Sequence, residues 1–173
     1  QSVLPNTGHV DLLPAPRHCA FVEDPQPRSS RGHIVVVDDE PAILRIVERV
    51  LERAGYRVSC FADPAQAIAY VASVPAADAV LSDLHLGSTT GLDLMEKIRE
   101  SWPTVPVVIM TGKATVTTAV DAMRRGAYDY LVKPFEPADS PVATLARAIE
   151  NHRLVERNRF LQEKVDLSDR FDD

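Results

Sequence analysis

The segment Ile34-Val-Val-Val-Asp-Asp-Glu40 decides the fold class of this chain. Its four consecutive apolar residues predict a short strand that is covered on both faces, because a half-exposed strand would alternate polar and apolar residues. Three acidic residues follow, and Pro41 then begins an amphipathic stretch, in the first turn where helices tolerate proline. A buried strand that leads directly into a helix is typical of a parallel α/β sheet.

The same alternation of apolar runs and amphipathic stretches occurs five times between His33 and about Ile149. The predicted strands are Ile34 to Val37, Arg57 to Cys60, Ala79 to Ser82, Val107 to Met110 and Tyr130 to Val132. The predicted helices are Pro41 to Ala54, Pro64 to Ser73, Leu92 to Ser101, Thr115 to Arg125 and a final helix from about Pro137. Only the second strand alternates polar and apolar residues, which favours an edge position. We therefore predict an α/β fold with helices on both faces of the sheet.

Composition excludes several classes of protein. The 173 residues suffice for one domain with some chain to spare, and 19 basic against 25 acidic residues argue against direct binding of nucleic acid by net charge. No apolar run is long enough to span a membrane. The two cysteines, Cys19 and Cys60, form no CxxC pair, which fits a reducing, cytoplasmic setting.

The two ends of the chain differ from its middle. Residues 1–32 contain five prolines and no regular period, so we expect a flexible arm; its His9, His18 and Cys19 have no metal-site spacing. Residues 150–173 are highly charged and predict a helical linker or coiled-coil stub.

The heptad seam of this linker places Leu154 and Leu161 at d positions, with Asn151, Asn158 and Val165 at a positions. Such a seam favours a homodimer, and a solvated helix end is the alternative. Because the chain starts without Met and stops after Asp173, we expect a piece of a longer protein whose output domain lies outside it.

Chemistry-bearing residues follow four of the strands. They are Asp38, Asp39 and Glu40 after the first, Asp83 after the third, Thr111 after the fourth and Lys133 after the fifth. Because parallel strands end at one edge of a sheet, these side chains should meet there. Clustered carboxylates require a cation, and an oxygen-only ligand set favours Mg²⁺. Together with an ammonium and a hydroxyl, these groups predict phosphoryl transfer with Asp83 as nucleophile.

Between His33 and Ile149 the chain resembles the receiver domain of two-component response regulators. The resemblance rests on Ile34-Val-Val-Val-Asp-Asp-Glu40, Val80-Leu-Ser-Asp-Leu84, Val108-Ile-Met-Thr-Gly-Lys113 and Gly126-Ala-Tyr-Asp-Tyr-Leu-Val-Lys-Pro-Phe135. It implies a flavodoxin-like, doubly wound sheet of five parallel strands in the order 2-1-3-4-5, with five helices of which the last is extended. It also implies a phosphorylation-controlled module rather than an enzyme acting on other molecules.

The resemblance assigns a role to each site residue. Asp83 would accept phosphate from a histidine kinase and would bind Mg²⁺ together with Asp39, with Asp38 helping through water and His85 through its backbone carbonyl. Thr111 would donate to the phosphoryl group and Lys133 would pair with its charge.

Tyr130 occupies the family's switch-aromatic position, although an aromatic residue in an edge strand also commonly just packs. We expect Tyr128, two residues earlier, on the same face, and a cis bond between Lys133 and Pro134. The switched surface would consist of the fourth helix, fifth strand and fifth helix.

One departure from the family pattern concerns the loop after the phosphoacceptor. The usual proline is missing where Gly87 and Ser88 follow Asp83-Leu-His-Leu, so we expect a more flexible loop. His85 and Lys113 flank the site, and we expect substitutions there to alter dephosphorylation more than phosphorylation.

Other functions remain open at this point. The linker is similar to that of nitrogen-regulator-type transcription activators, but receivers also control cyclic-dinucleotide enzymes and hybrid kinases through comparable helices. A binding scaffold that works without phosphate is a further alternative. A flavodoxin-like cofactor binder is disfavoured, because Asp38, Asp39 and Glu40 would repel phosphate where such a protein needs a phosphate-binding loop.

Overall fold

The computed structural model describes residues 30–135 and 140–169, with side chains up to residue 165. Five parallel strands form one sheet in the order β2-β1-β3-β6-β7. They are β1 (His33–Val37), β2 (Arg57–Phe61), β3 (Ala79–Asp83), β6 (Val107–Thr111) and β7 (Asp129–Val132). The short strands β4 (His85–Leu86) and β5 (Thr89–Thr90) pair antiparallel outside this sheet. Counting the sheet strands alone, the predicted order is confirmed, and the β4-β5 ladder is the element that was missed.

Five helices connect or follow the strands. They are α1 (Pro41–Arg53), α2 (Pro64–Ser73), α3 (Gly91–Ser101), α4 (Val116–Arg124) and α5 (Pro141–Asp169). The side chains of Asp63, Thr90 and Thr115 cap α2, α3 and α4 by accepting a hydrogen bond from a backbone N–H of the first turn. The predicted start of the last helix, about Pro137, lies outside the described residues; the helix is described from Pro141.

The sheet has a separate apolar core on each face. Alternate residues of β1 divide between them: Val35 and Val37 pack on the side of α2, α3 and α4, whereas Ile34 and Val36 pack on the side of α1 and α5. Because all four side chains are fully buried, the strand is covered on both faces as its composition predicts. The doubly wound architecture is thereby confirmed, with β2 at an edge.

The two tyrosines near β7 face opposite cores. Tyr130 packs with the core beneath α2, α3 and α4, whereas Tyr128 packs with the core beneath α1 and α5. The prediction that they share a face is wrong. Its physical reason is that β7 begins at Asp129, so Tyr128 precedes the strand and is not subject to its two-residue alternation.

Helix α5 continues past the core. Ile149 is buried, but Leu154, Leu161 and Val165 are more than half exposed.

In the described part of the chain, no helix is both long enough and apolar enough to cross a membrane. The predicted N-terminal arm lies outside the described residues except for its last three positions.

Candidate functional site

Three carboxylates meet at the carboxyl edge of the sheet. Asp38 follows β1 and Asp83 ends β3, and these strands are paired, so the two acids are brought together with Asp39. One oxygen of each carboxylate lies within 4.8 Å of the others. Asp38 is completely buried and Asp83 nearly so, whereas Asp39 is exposed. The cluster therefore opens to solvent on the side of Asp39.

Lys133 extends its ammonium group into this cluster from the end of β7. Its Nζ lies 3.0 Å from Asp38 Oδ2, 3.2 Å from Asp83 Oδ1 and 3.9 Å from Glu40 Oε1. Its backbone N–H donates to the Thr111 carbonyl at 2.7 Å, which anchors it to the end of β6, and the bond to Pro134 is cis, as expected. One ammonium thus faces several acids and leaves the site with surplus negative charge.

The pKa values of the site reflect this imbalance. Burial raises the pKa of Asp83; the charges of Asp38 and Asp39 add to the rise and Lys133 opposes it. Burial alone would lower the pKa of Lys133, but the hydrogen bonds and charges of Asp38 and Asp83 outweigh burial and raise it. Lys133 therefore remains an ammonium at neutral pH, and a negative charge on Asp83 is destabilised by its surroundings.

The donor set fits a hard divalent cation. Asp38 already uses both oxygens, since Oδ1 accepts from the Glu40 N–H at 2.9 Å and Oδ2 accepts from Lys133. Asp39 has no hydrogen-bond partner among the described residues. Within the same residues, the ion pair of Asp83 with Lys133 is made through Oδ1. Asp39 and Asp83 thus have oxygens available for direct ligation, whereas a water-mediated role suits Asp38.

The remaining predicted site residues surround the acids. Thr111 is completely buried at the end of β6, and its Oγ1 accepts a hydrogen bond from the Lys113 N–H at 3.2 Å. Lys113 and His85 are exposed, and His85 begins β4 two residues after Asp83. Both residues therefore lie within two positions of a predicted site residue, and their tuning role stays a prediction.

Tyr130 is partly buried and bonded to a residue that sequence analysis missed. Its hydroxyl lies 2.8 Å from Oγ1 of Thr118, in the first turn of α4. A threonine three residues after the cap Thr115 is a recognisable capping pattern, and both reciprocal bonds of a capping box are formed. That pattern could have identified Thr118 as a helix-start residue, but not as the partner of Tyr130.

Gly91 is a second residue that sequence analysis missed. A Cβ atom at this first position of α3 would lie 2.1 Å from the Asp83 carbonyl oxygen and 2.9 Å from Ser82 Oγ. The start of α3 therefore packs directly against the backbone that carries Asp83. The only sequence signal is a glycine beside the cap Thr90, where helix starts accept many residues.

Residues 34–143 match the family model described as the response regulator receiver domain. The chain belongs to this family. Over 135 residues the receiver is 41% identical to the alginate biosynthesis transcriptional regulatory protein AlgB of Pseudomonas aeruginosa, with 78% of this chain and 30% of that protein covered. Over 132 residues it is 37% identical to the DNA-binding transcriptional regulator NtrC of Escherichia coli, with 76% and 28% covered. The receiver thus spans less than a third of either regulator.

The receiver also resembles a solved response regulator from Burkholderia pseudomallei that carries a phosphorylated aspartic acid, a calcium ion and citrate. The TM-score is 0.59 at 29% identity, and the match covers 75% of this chain and 74% of that one. The family predicted from the sequence motifs is confirmed.

Proposed function

We propose that this receiver accepts a phosphoryl group on Asp83 from a histidine kinase and thereby controls an attached, transcriptional output. The observation that carries the proposal is the geometry of Asp83, whose Oδ1 is 3.2 Å from the Lys133 ammonium and whose other oxygen has no partner among the described residues. One Asp83 oxygen attacks phosphorus while the other stays available to a cation, the bond from phosphorus to the histidine nitrogen breaks, and an acyl phosphate forms. Lys133 stays protonated and pairs with the new charge.

Mg²⁺ is the cofactor that the donor set favours, and when bound it neutralises charge on the transferred group. Asp39 and Asp83 would ligate it directly, Asp38 through water and His85 through its backbone carbonyl. The charge balance supports this assignment, since Lys133 alone does not offset the carboxylates that surround it. The Burkholderia protein carries both a phosphorylated aspartic acid and a calcium ion, which supports the same chemistry.

An apolar cavity next to the site supports a protein partner as the phosphate donor. It has a volume of about 410 Å³ and is lined by Ile43, Ile46 and Val50 of α1 together with Lys133 and Pro134. Ile46 is 57% exposed, so this face of α1 is apolar where it meets solvent. Because Lys133 lines the cavity and also contacts Asp83, a kinase helix seated there would bring its phosphohistidine close to the acceptor.

The response to phosphorylation would involve α4, β7 and α5. Acceptor oxygens on Asp83 favour any arrangement in which Thr111 donates to them, and movement of Thr111 leaves space for Tyr130. Helix α5 leads from this surface into the linker, which we propose forms a coiled-coil homodimer before the output domain. NtrC and AlgB are named as transcriptional regulators, which supports a cytoplasmic protein with a transcriptional output.

Phosphorylation is tested with acetyl phosphate and Mg²⁺, with intact mass as the measurement. We expect the wild type to gain one phosphate, Asp83→Ala to gain none, and Asp78→Asn, at the opposite edge of the sheet, to behave as wild type. A wild type that gains no phosphate would favour the phosphate-independent scaffold.

After removal of acetyl phosphate, variants of His85 or Lys113 should lose phosphate at a changed rate, and unchanged decay in both would contradict their tuning role.

The coiled coil is tested by the mass of the chain in solution with and without beryllium fluoride, a phosphate mimic. We expect a dimer in at least one condition, since Leu154, Leu161 and Val165 are exposed in the single chain. A monomer in both conditions would remove dimerisation by this segment.

A further inference from the structure

The hydroxyl of Thr118 connects four groups. It donates to the Thr115 carbonyl at 3.0 Å, accepts from the Thr115 N–H at 3.1 Å, and lies 3.0 Å from the Thr115 hydroxyl and 2.8 Å from the Tyr130 hydroxyl. A hydroxyl has one proton to donate and two lone pairs to accept with. When that proton goes to the Thr115 carbonyl, the Tyr130 hydroxyl is the donor in its contact with Thr118, and none of the bonds between Thr115 and Thr118 depends on Tyr130. Tyr130 can therefore leave without breaking the cap of α4.

The two ends of α4 are attached differently. At the carboxyl end, Arg125 reaches Asp93 at 2.9 Å and Glu96 at 2.7 Å on α3, and Arg99 of α3 donates to the carbonyls of Arg125 and Gly126. At the amino end, the first turn is exposed, with Val116 82% accessible. The bond from Tyr130 to Thr118 ties this turn to the sheet. The amino end of α4 is therefore the end that is easier to displace.

Tyr130 lies on the same side of the sheet as Thr111. It pairs with Ile109 on β6, and Thr111 is two residues further along that strand, so the strand alternation directs both side chains to the face that α4 covers. Thr111, Tyr130 and Thr118 thus form a series from the phosphoacceptor edge to the start of α4. A change at Thr111 that moves Tyr130 breaks the bond to Thr118.

We propose that Thr118 is a positioning residue that stabilises the resting orientation of Tyr130 and transmits its movement to the first turn of α4. The inference rests on the proposed function, because it concerns the switch that phosphorylation operates. A bond present in only one of two arrangements stabilises that arrangement, and a ligand must offset it to populate the other. Removal of the Thr118 hydroxyl therefore shifts the unphosphorylated protein toward the phosphorylated arrangement.

The experiment measures the beryllium fluoride concentration, with Mg²⁺, that half-saturates the change in amide hydrogen exchange of residues 115–124. We expect Thr118→Val to lower it roughly two- to tenfold, the effect of losing one hydrogen bond. Thr118→Ser keeps the hydroxyl and should resemble wild type. The matched control is Thr117→Val, at an exposed neighbouring threonine of the same turn, whose side chain forms no hydrogen bond among the described residues.

Tyr130→Phe separates the switch from the helix cap. It removes the same bond but leaves the Thr115 cap intact, so it should lower the half-saturating concentration as Thr118→Val does. The double variant should show little further change. An unchanged concentration in Thr118→Val, an equal change in Thr117→Val, or fully additive effects in the double variant would overturn the proposal.

A measurement without phosphate mimic distinguishes this proposal from the proposed function. In protein labelled with fluorotyrosine, Thr118→Val should shift the Tyr130 resonance and speed amide exchange at the start of α4, and Thr117→Val should do neither. If beryllium fluoride does not change amide exchange in the wild type but Thr118→Val causes these changes, the proposed phosphorylation is contradicted and the link from Thr118 to Tyr130 is supported. If they are absent, the link is wrong whether or not Asp83 is phosphorylated.

Discussion

The amino and carboxyl edges of the sheet, where the parallel strands begin and end, each hold an aspartate beside a basic residue from far along the chain, but the charge of that aspartate is balanced differently at each. At the amino edge, Asp78 accepts from the His33 N–H at 2.7 Å and from Arg153 at 3.0 Å. At the carboxyl edge, Asp38 and Asp83 share the ammonium of Lys133, and the carboxylate of Asp39 lies beside theirs. At the amino edge the aspartate is paired with residues of the chain itself, whereas the carboxyl edge keeps surplus negative charge.

The amino edge also avoids surplus charge through His33. Burial, aided by the charge of Arg57 and opposed by Asp78, lowers the pKa of His33 to about 4, so its imidazole is neutral at pH 7. Its Nε2 lies 2.9 Å from the hydroxyl of Ser59. This edge therefore satisfies its polar groups internally and attaches α5 to the domain through Arg153. Surplus negative charge on buried carboxylates therefore distinguishes the carboxyl edge, where we propose phosphorylation, from the amino edge.

The largest expected effect is at Gly91, which holds the backbone of Asp83 in place. Gly91→Ala should lower the free energy of unfolding by about 4 kcal/mol, because the new methyl group would overlap backbone that cannot rotate away. Gly112→Ala is the control at the same edge, since a Cβ there has no atom within 4 Å; the free energy of unfolding should change by less than about 1 kcal/mol. Urea unfolding measures both, and equal losses would show that Asp83 is not held by this contact.

The second prediction compares the basic residues of the two edges. Without divalent metal, Lys133→Met should cost about 3 kcal/mol, because it leaves Asp38 and Asp83 buried without their cation. Arg153→Met should cost less than about 1 kcal/mol, because the Arg153 side chain is 55% exposed.

Added Mg²⁺ should restore part of the loss in Lys133→Met and leave Arg153→Met unchanged, which thermal unfolding with and without the metal measures. Equal losses, or no recovery with Mg²⁺, would contradict the charge imbalance.

The smallest effect is expected when one aspartate at each edge is replaced by asparagine, and the free energy of unfolding should change in opposite directions at the two edges. In the presence of a chelator, Asp83→Asn should raise the free energy of unfolding by about 1 kcal/mol, because the pKa of Asp83 is raised and its charge therefore opposes folding. Asp78→Asn should lower it by about 1 to 2 kcal/mol, because the carboxylate there accepts two hydrogen bonds. Chemical unfolding at pH 7 measures both, and the same sign in both variants would mean that the edges do not differ.

Most of the fold could be predicted because its signals are local. The apolar run before Asp38 indicates a buried strand, and the prolines at 41 and 64 and the glycines at 55 and 126 mark helix boundaries. The β4-β5 ladder was missed because two-residue strands have no period to detect. Tyr128 was assigned to the wrong face because the alternation of β7 was extended one residue too far.

By itself, the sequence determined which residues reach the carboxyl edge, because each follows an apolar run and parallel strands end together. Only the tertiary structure decided how those residues are supported: Tyr130 by Thr118, Asp83 by the close approach of Gly91, and α5 by Arg153 on Asp78. Each of these contacts joins residues that do not share a strand or helix, so the periodicity of a single strand or helix does not reveal it. Each depends on the exact packing of a helix on the sheet, which a linear pattern of apolar and polar residues does not specify.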